Sequence, residues 1–193
     1  MFEFNDKTKE ILLTLEKTQH EFWNIDVETA KFLSIIILSK QPKAALEIGT
    51  SNGYSGIWLA SALKKIGGKL TTIEYWDKRQ SVAIENFRSC GVDDVIEPRL
   101  GPAFAVLDNI TQEIKEEKRP LFDFIFIDAN KKEYIDYFRQ IHPILNKGGL
   151  ILADNMISHK EKVQPFYDEI TNHQEYKTVL LNIGTGVLMA VKN

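Results

Sequence analysis

Residues 44–55 read Ala44-Ala45-Leu46-Glu47-Ile48-Gly49-Thr50-Ser51-Asn52-Gly53-Tyr54-Ser55. The apolar run is strand-length and stops at Gly49, and a second glycine, Gly53, precedes a segment of helical period. Glycine lets a backbone turn sharply and come close to a ligand, so the stretch has the form of a strand, cofactor loop and helix. Taken alone, Gly49 and Gly53 are also explained as shaping a plain turn. The spacing is not that of a dinucleotide loop, because Ser51 stands where the middle glycine of G-x-G-x-x-G belongs, and a diphosphate would fit poorly.

Outward from this stretch, apolar runs alternate with helical patterns. Strands are expected at 44–48, 69–74, 122–128 and 149–154, with a weaker one near 94–97. Helices are expected near 53–65, 77–90, 102–117 and 132–145 between them, and near 7–22 and 27–40 before them, the second of these with Asp26 as N-cap and Pro42 as stop. This alternation implies an α/β fold, a mostly parallel sheet covered by helices on both faces. The order changes near the end, where a helix near 162–172 is followed by β-rich runs at 176–181 and 187–191, a terminal antiparallel hairpin.

Four of the expected strands finish on a carboxylate or one residue past it: Glu47, Glu74, Asp128 and Asp154. One such acid is commonly a turn former or helix cap. Parallel strand ends share one edge, however, and open α/β sheets bind ligands there. Glu74, closing the second strand, is placed to accept hydrogen bonds from the two hydroxyls of a ribose. Asp128, Asp154 and Asn155 offer three hard oxygen donors of the kind that suits Mg²⁺ or another divalent cation. Lys131 starts the helix after Asp128, and beside a cation its ammonium is expected to lose its proton more easily, which would make it a base.

Composition narrows the alternatives. With 193 residues and 44% hydrophobic content the chain supports one domain, read as helices over 1–41 and a catalytic core over 42–193. The longest apolar stretch, Phe32 to Leu38, falls far short of the roughly 20 residues a bilayer span requires, so no membrane is expected. The acidic N-terminus, Met1 to Asp6, does not look like a secretory signal, and a cytoplasmic protein is expected. A net charge of −3 with both signs interspersed argues against nucleic acid as partner. The single cysteine, Cys90, has no partner for an internal disulfide and reads as a small packed residue at a helix end. His20, His142, His159 and His173 are scattered, with only His159 near the candidate site, where it reads as an exposed loop residue. The apolar pair Phe22-Trp23 is a candidate homodimer contact.

Taken as a set, Leu46 to Ser55, Thr72-Ile73-Glu74, Phe126 to Lys131 and Gly148 to Asn155 resemble the metal-dependent catechol and caffeoyl-CoA type O-methyltransferases, over roughly residues 25–192 and including Gly184-Thr185-Gly186. The resemblance implies a Rossmann-like, seven-stranded sheet that binds S-adenosylmethionine (SAM), with its last strand antiparallel. It implies cofactor contacts from Glu47, Gly49, Ser51, Gly53, Tyr54, Ser55, Glu74, Gly101, Ala103 and Asp128, with Phe104 and Trp76 bordering the adenine. It also implies a divalent metal on Asp128, Asp154 and Asn155, Lys131 as base, and a small hydroxylated acceptor. The chain is trimmed where family members carry a longer N-terminal region and a loop after the Asp-Asn pair, so the acceptor side is expected to be open or completed by a partner subunit. Three other readings are an RNA hydroxyl methyltransferase, a nicotinamide oxidoreductase, which leaves Asp128, Asp154 and Asn155 unexplained, and a SAM-binding module without catalysis.

Overall fold

The structure is a computed structural model and describes residues 4–193, so Met1 to Glu3 of the acidic N-terminus lie outside the described residues. Three helices open the chain: α1 (Asp6–Lys17), α2 (Gln19–Phe22) and α3 (Val27–Lys40). Asn5 and Asp26 supply the side-chain caps of α1 and α3, accepting hydrogen bonds from the amides of Thr8 and Thr29.

The alternating part follows as β1 (Ala44–Ile48), α4 (Tyr54–Ile66), β2 (Lys69–Glu74), α5 (Asp77–Cys90), β3 (Ile96–Leu100), α6 (Ala103–Lys115), β4 (Phe122–Ile127), α7 (Tyr134–Ile141) and β5 (Leu145–Ala153). The chain closes with α8 (Lys160–Asn172), β6 (Tyr176–Leu181) and β7 (Val187–Lys192). The seven strands lie in the order β3-β2-β1-β4-β5-β7-β6, with β7 antiparallel to both of its neighbours and all other pairings parallel. The expected mostly parallel seven-stranded sheet with a terminal antiparallel hairpin is therefore what the chain forms.

Strand alternation divides the core in two. Ala45, Leu70, Phe124, Phe126 and Leu152 pack under α1, α3, α4 and α5, whereas Leu46, Ile48, Ile73, Ile125, Ile127 and Ile151 pack under α6, α7 and α8. Successive residues of a strand face opposite ways, so a run such as Phe124 to Ile127 is apolar at every position and satisfies both layers. Glu47 is the exception in β1: it points into the α4 layer and is fully buried.

Connectivity reverses between β1 and β4. The chain builds outward from β1 through β2 to β3, then returns to lay β4 on the other side of β1. At such a switch point the flanking helices diverge and leave a crevice above the strand ends.

Four boundaries differ from the sequence expectation. The helix expected near 7–22 breaks at Thr18, whose hydroxyl and amide both turn back to the carbonyl of Leu15. The third strand runs 96–100 rather than 94–97, with Asp93–Val95 forming a short 3₁₀ turn. The helix expected near 132–145 is a 3₁₀ turn at Lys131–Glu133, α7, and a second 3₁₀ turn at His142–Ile144. Strand β5 then starts at Leu145, four residues before the expected Gly149.

Candidate active site

The crevice at the switch point is a cavity of about 560 Å³. Its lining includes Gly49, Thr50 and Ser51 after β1, Glu74 to Trp76 after β2, Gly101 to Phe104 after β3, and Asp128 to Lys131 after β4. Phe22 to Ile25, from the link between α2 and α3, form a further wall. Cavities of this size hold a nucleoside-sized ligand.

Gly49 has to be glycine. Its φ is +107°, and a Cβ there would fall inside the carbonyl group of Asp128. Strands β1 and β4 diverge from this near-contact. The Ser51 backbone is left-handed, with φ +52°. That turn aims its amide at Glu74 Oε2, 2.7 Å away, while the Ser51 hydroxyl donates to the carbonyl of Phe22 at 2.8 Å. Glu74 Oε1 accepts the amide of Trp76 at 2.9 Å. Each carboxylate oxygen has two lone pairs, so Glu74 is oriented by backbone donors and retains acceptor capacity toward the cavity it lines.

Three residues expected at the cofactor lie behind the wall instead. The Gly53 position packs on Phe87 and Ala83. Tyr54 is buried, with its hydroxyl donating to Glu16 Oε1 at 2.9 Å. Glu47 accepts from Ser55 Oγ and from Thr72 Oγ1, both at 2.6 Å. Thr72 spends its proton on Glu47, which leaves the 2.6 Å contact between Thr50 and Thr72 to be donated by Thr50. Burial pushes the Glu47 carboxyl up to about 7, against the opposing pull of Ser55 and Thr72. Ser55, which lines the cavity, is thus held from beneath by Glu47.

At the other end, Lys131 Nζ lies 2.9 Å from Asp128 Oδ1, and both side chains are largely covered. Asp154 follows β5 directly, as Asp128 follows β4, and its amide donates to the carbonyl of Ile127. Burial, and next the charge of Asp128, raise the Asp154 carboxyl well above the ordinary carboxylate range. Asp154 and Asn155 do not line the cavity proper; they sit beyond Asp128, at the base of a turn in which Asn155 is left-handed with φ +63°. Thr185 joins them, donating its hydroxyl to Asp154 Oδ1 at 2.7 Å and accepting from Asn155 Nδ2 at 3.1 Å. Asn155 Oδ1 is buried and accepts no hydrogen bond among the described residues. Among those residues no three Asp, Glu, His or Cys side chains gather as a cation site, so an oxygen set here is two carboxylates and one amide.

Aromatic residues furnish the rim. Arg79 sits over the ring of Trp23 at 5.2 Å, Tyr75 meets Trp76 edge-on at 5.0 Å, and Phe104 lies 5.1 Å from Tyr137. Trp23 and Trp76 are both more than half exposed. Sequence reasoning gave Phe22-Trp23 no place at the cavity; nothing local announces the bond between Ser51 and Phe22. It also missed the gathering of His142, His173 and Tyr176 around Phe138, none of which lines the cavity. His159 is partly covered rather than exposed and precedes α8, bonded through Nδ1 to Ser158. Cys90 is buried at the end of α5, and burial raises its thiol.

A doubly wound sheet, an open crevice at the β1–β4 switch point and an acid closing β2 define the Rossmann-like class. The profile of the O-methyltransferase family matches residues 5–192, and the chain belongs to that family. It is 40% identical over 134 residues to a catechol O-methyltransferase of Niastella koreensis, which covers 69% of this chain and 58% of the relative. It is 33% identical over 153 residues to caffeoyl-CoA O-methyltransferase 1 of Eucalyptus globulus, covering 78% and 61%. The chain thus spans about three fifths of the length of these relatives. Among solved structures, the O-methyltransferase of Bacillus cereus in complex with SAH superposes with a TM-score of 0.84 at 28% identity, covering 99% of this chain and 92% of that one. No helix among the described residues is long and apolar enough to cross a membrane.

Proposed function

We propose that the protein is a SAM-dependent O-methyltransferase that acts, with a divalent cation, on a hydroxyl of a small phenolic or vicinal-diol acceptor. One observation carries the reading: a single cavity has at one end Glu74, clamped by the amides of Ser51 and Trp76, and at the other the pair Asp128–Lys131. The first end suits a ribose and the second suits chemistry on an acidified hydroxyl. The names of the relatives, catechol and caffeoyl-CoA O-methyltransferases, support the acceptor class. The SAH complex of the Bacillus cereus protein supports the donor. The reading takes 1–193 as one domain in which helices of 1–41 close a cavity built by 42–193, supported by Phe22 to Ile25 in the cavity wall.

In this reading Glu74 receives the ribose hydroxyls, and Gly49 with Ser51 brings backbone close to the donor. Ser55 faces the methionine end and is held there by Glu47, while Gly101, Ala103 and Phe104 border the adenine. Gly53 and Tyr54 act from behind, by setting where α4 begins. The oxygens of Asp128, Asp154 and Asn155 fit a hard cation such as Mg²⁺, because the buried Asn155 Oδ1 otherwise lacks a partner and the two acids lie near enough for the charge of one to act on the other.

Bound, the donor supplies a sulfonium methyl open to direct displacement, with the electron pair of the broken bond left on sulfur, and the cation supplies positive charge for two neighbouring acceptor oxygens. Lys131 Nζ, after releasing to solvent the proton it holds against Asp128, would take the acceptor's hydroxyl proton, and Asp128, 2.9 Å away, would stabilise the ammonium that forms again. Phe22, Trp23 and Ile25 cover the cavity and limit the water around the reacting atoms. The test is calorimetry of SAM and NAD binding, followed by methylation of a catechol panel with Mg²⁺ and with chelator. SAM binding without NAD binding, and turnover abolished by chelator, is expected. Turnover indifferent to chelator overturns the metal-dependent reading.

A further inference from the structure

We infer that Thr185 is the positioning residue that turns the Asn155 amide so that its oxygen, not its nitrogen, faces the cation site, and that it aligns Asp154 in the same act. The inference rests on the metal reading above and concerns how this chain holds the set in shape.

The argument is one of proton direction. A threonine hydroxyl has one proton and two lone pairs. Thr185 Oγ1 donates to Asp154 Oδ1 at 2.7 Å, so its one proton points there. Only lone pairs remain on the side facing Asn155, and only the amide nitrogen can answer them, at 3.1 Å. Asn155 Oδ1 is thereby turned away, and it is this atom that is buried without a partner. The alternative acceptor for the nitrogen, Ser158 Oγ, stands at 3.5 Å, the outer limit of a hydrogen bond.

Thr185 can serve this way because its backbone is fixed independently of its side chain. Its carbonyl accepts the amides of Ile157 and Ser158, and the carbonyl of Gly186 accepts that of Met156, which stitches the β6–β7 loop to the turn carrying Asp154 and Asn155. The flanking glycines let the loop seat. A Cβ on Gly184 would collide with the Asp26 carboxylate at the start of α3, and one on Gly186 would collide with Ile157. Replacing Thr185 by valine therefore removes the hydroxyl and little else.

The experiment is Mn²⁺ titration of the full chain followed by electron paramagnetic resonance, with calorimetry of SAM alongside. Partners that orient metal ligands are worth roughly 10–100-fold in metal affinity. T185V is expected to weaken Mn²⁺ binding on that scale, T185S to restore most of it, and S158A to leave it unchanged, with SAM affinity alike in all. T185V binding Mn²⁺ as the parent does, or T185S failing as badly as T185V, overturns the role of the hydroxyl while leaving the metal reading intact. Absence in the parent of any Mn²⁺ binding that D154N abolishes overturns the metal reading, and this inference with it.

Discussion

The amide of Ser51 donates to Glu74 Oε2 across 2.7 Å, joining the loop after β1 to the end of β2. The bond exists because Ser51 is left-handed, a conformation that a non-glycine residue adopts at a cost. Glu74→Ala removes both the anchor of that turn and the proposed ribose acceptor. Hydrogen bonds to a charged group contribute about 1.5–3 kcal/mol, so SAM affinity should fall by roughly 10- to 150-fold. Calorimetry reads it directly; an unchanged Kd removes Glu74 from the donor site.

For Lys131→Ala, donor binding should stay near that of the parent while methyl transfer falls by roughly 10²–10⁴-fold, the range of a general base. Binding calorimetry and single-turnover methylation separate the two. Equal losses in both would assign Lys131 a binding role.

Gly49→Ala sets a Cβ against the carbonyl of Asp128 and forces alanine to φ +107°. Backbone strain alone costs about 1–3 kcal/mol, and the collision adds to it by prising β1 from β4. Urea unfolding should show that loss, with weakened SAM binding in whatever folded protein remains. A variant as stable as the parent would mean that the loop can relax without harm.

Glu47 predicts a pH effect on stability. Its native carboxyl titrates at about 7, above the ordinary 4.5, so the native state holds the proton more tightly than the unfolded chain. Below about pH 4.5 both states carry it and stability is unaffected. Between 4.5 and 7 the unfolded chain ionises first, and stability declines by an amount on the order of 3 kcal/mol. Glu47→Gln lacks this titration, so its stability relative to the parent should rise from pH 5 to pH 8. Parallel profiles in urea unfolding at the two pH values would contradict the burial argument.

How far the sequence carries is clearest at particular residues. The runs at 44–48, 69–74 and 122–127 announce themselves because strands covered on both faces are rich in apolar residues, with Glu47 and Thr72 paired to each other inside the core. β3 is harder to see, and the weaker strand expected near 94–97 stops short of Pro98 and Arg99; these are admissible in a strand because β3 is an edge, where a proline need not donate to a ladder. The start of β5 is hidden by Asn146 to Gly149, whose turn chemistry shapes the irregular pairing beside β4. Of the expected site residues, Gly49, Ser51, Ser55, Glu74, Gly101, Ala103, Asp128 and Lys131 line the cavity, whereas Glu47, Gly53 and Tyr54 stand behind it. Spacing along a chain cannot separate these groups, because the face a residue presents depends on which helix lands on it. Thr185 was visible only as part of a glycine-flanked triplet, since its partners lie 30 and 31 positions away.

Strand β7 is inserted between β5 and β6, although it is the last strand to be made. The residues that line the crevice, all between Phe22 and Tyr137, therefore leave the ribosome well before Thr185. Any product cut short ahead of that residue would lack both β7, the strand on which β5 and β6 pair, and the hydroxyl that bonds the two side chains after β5.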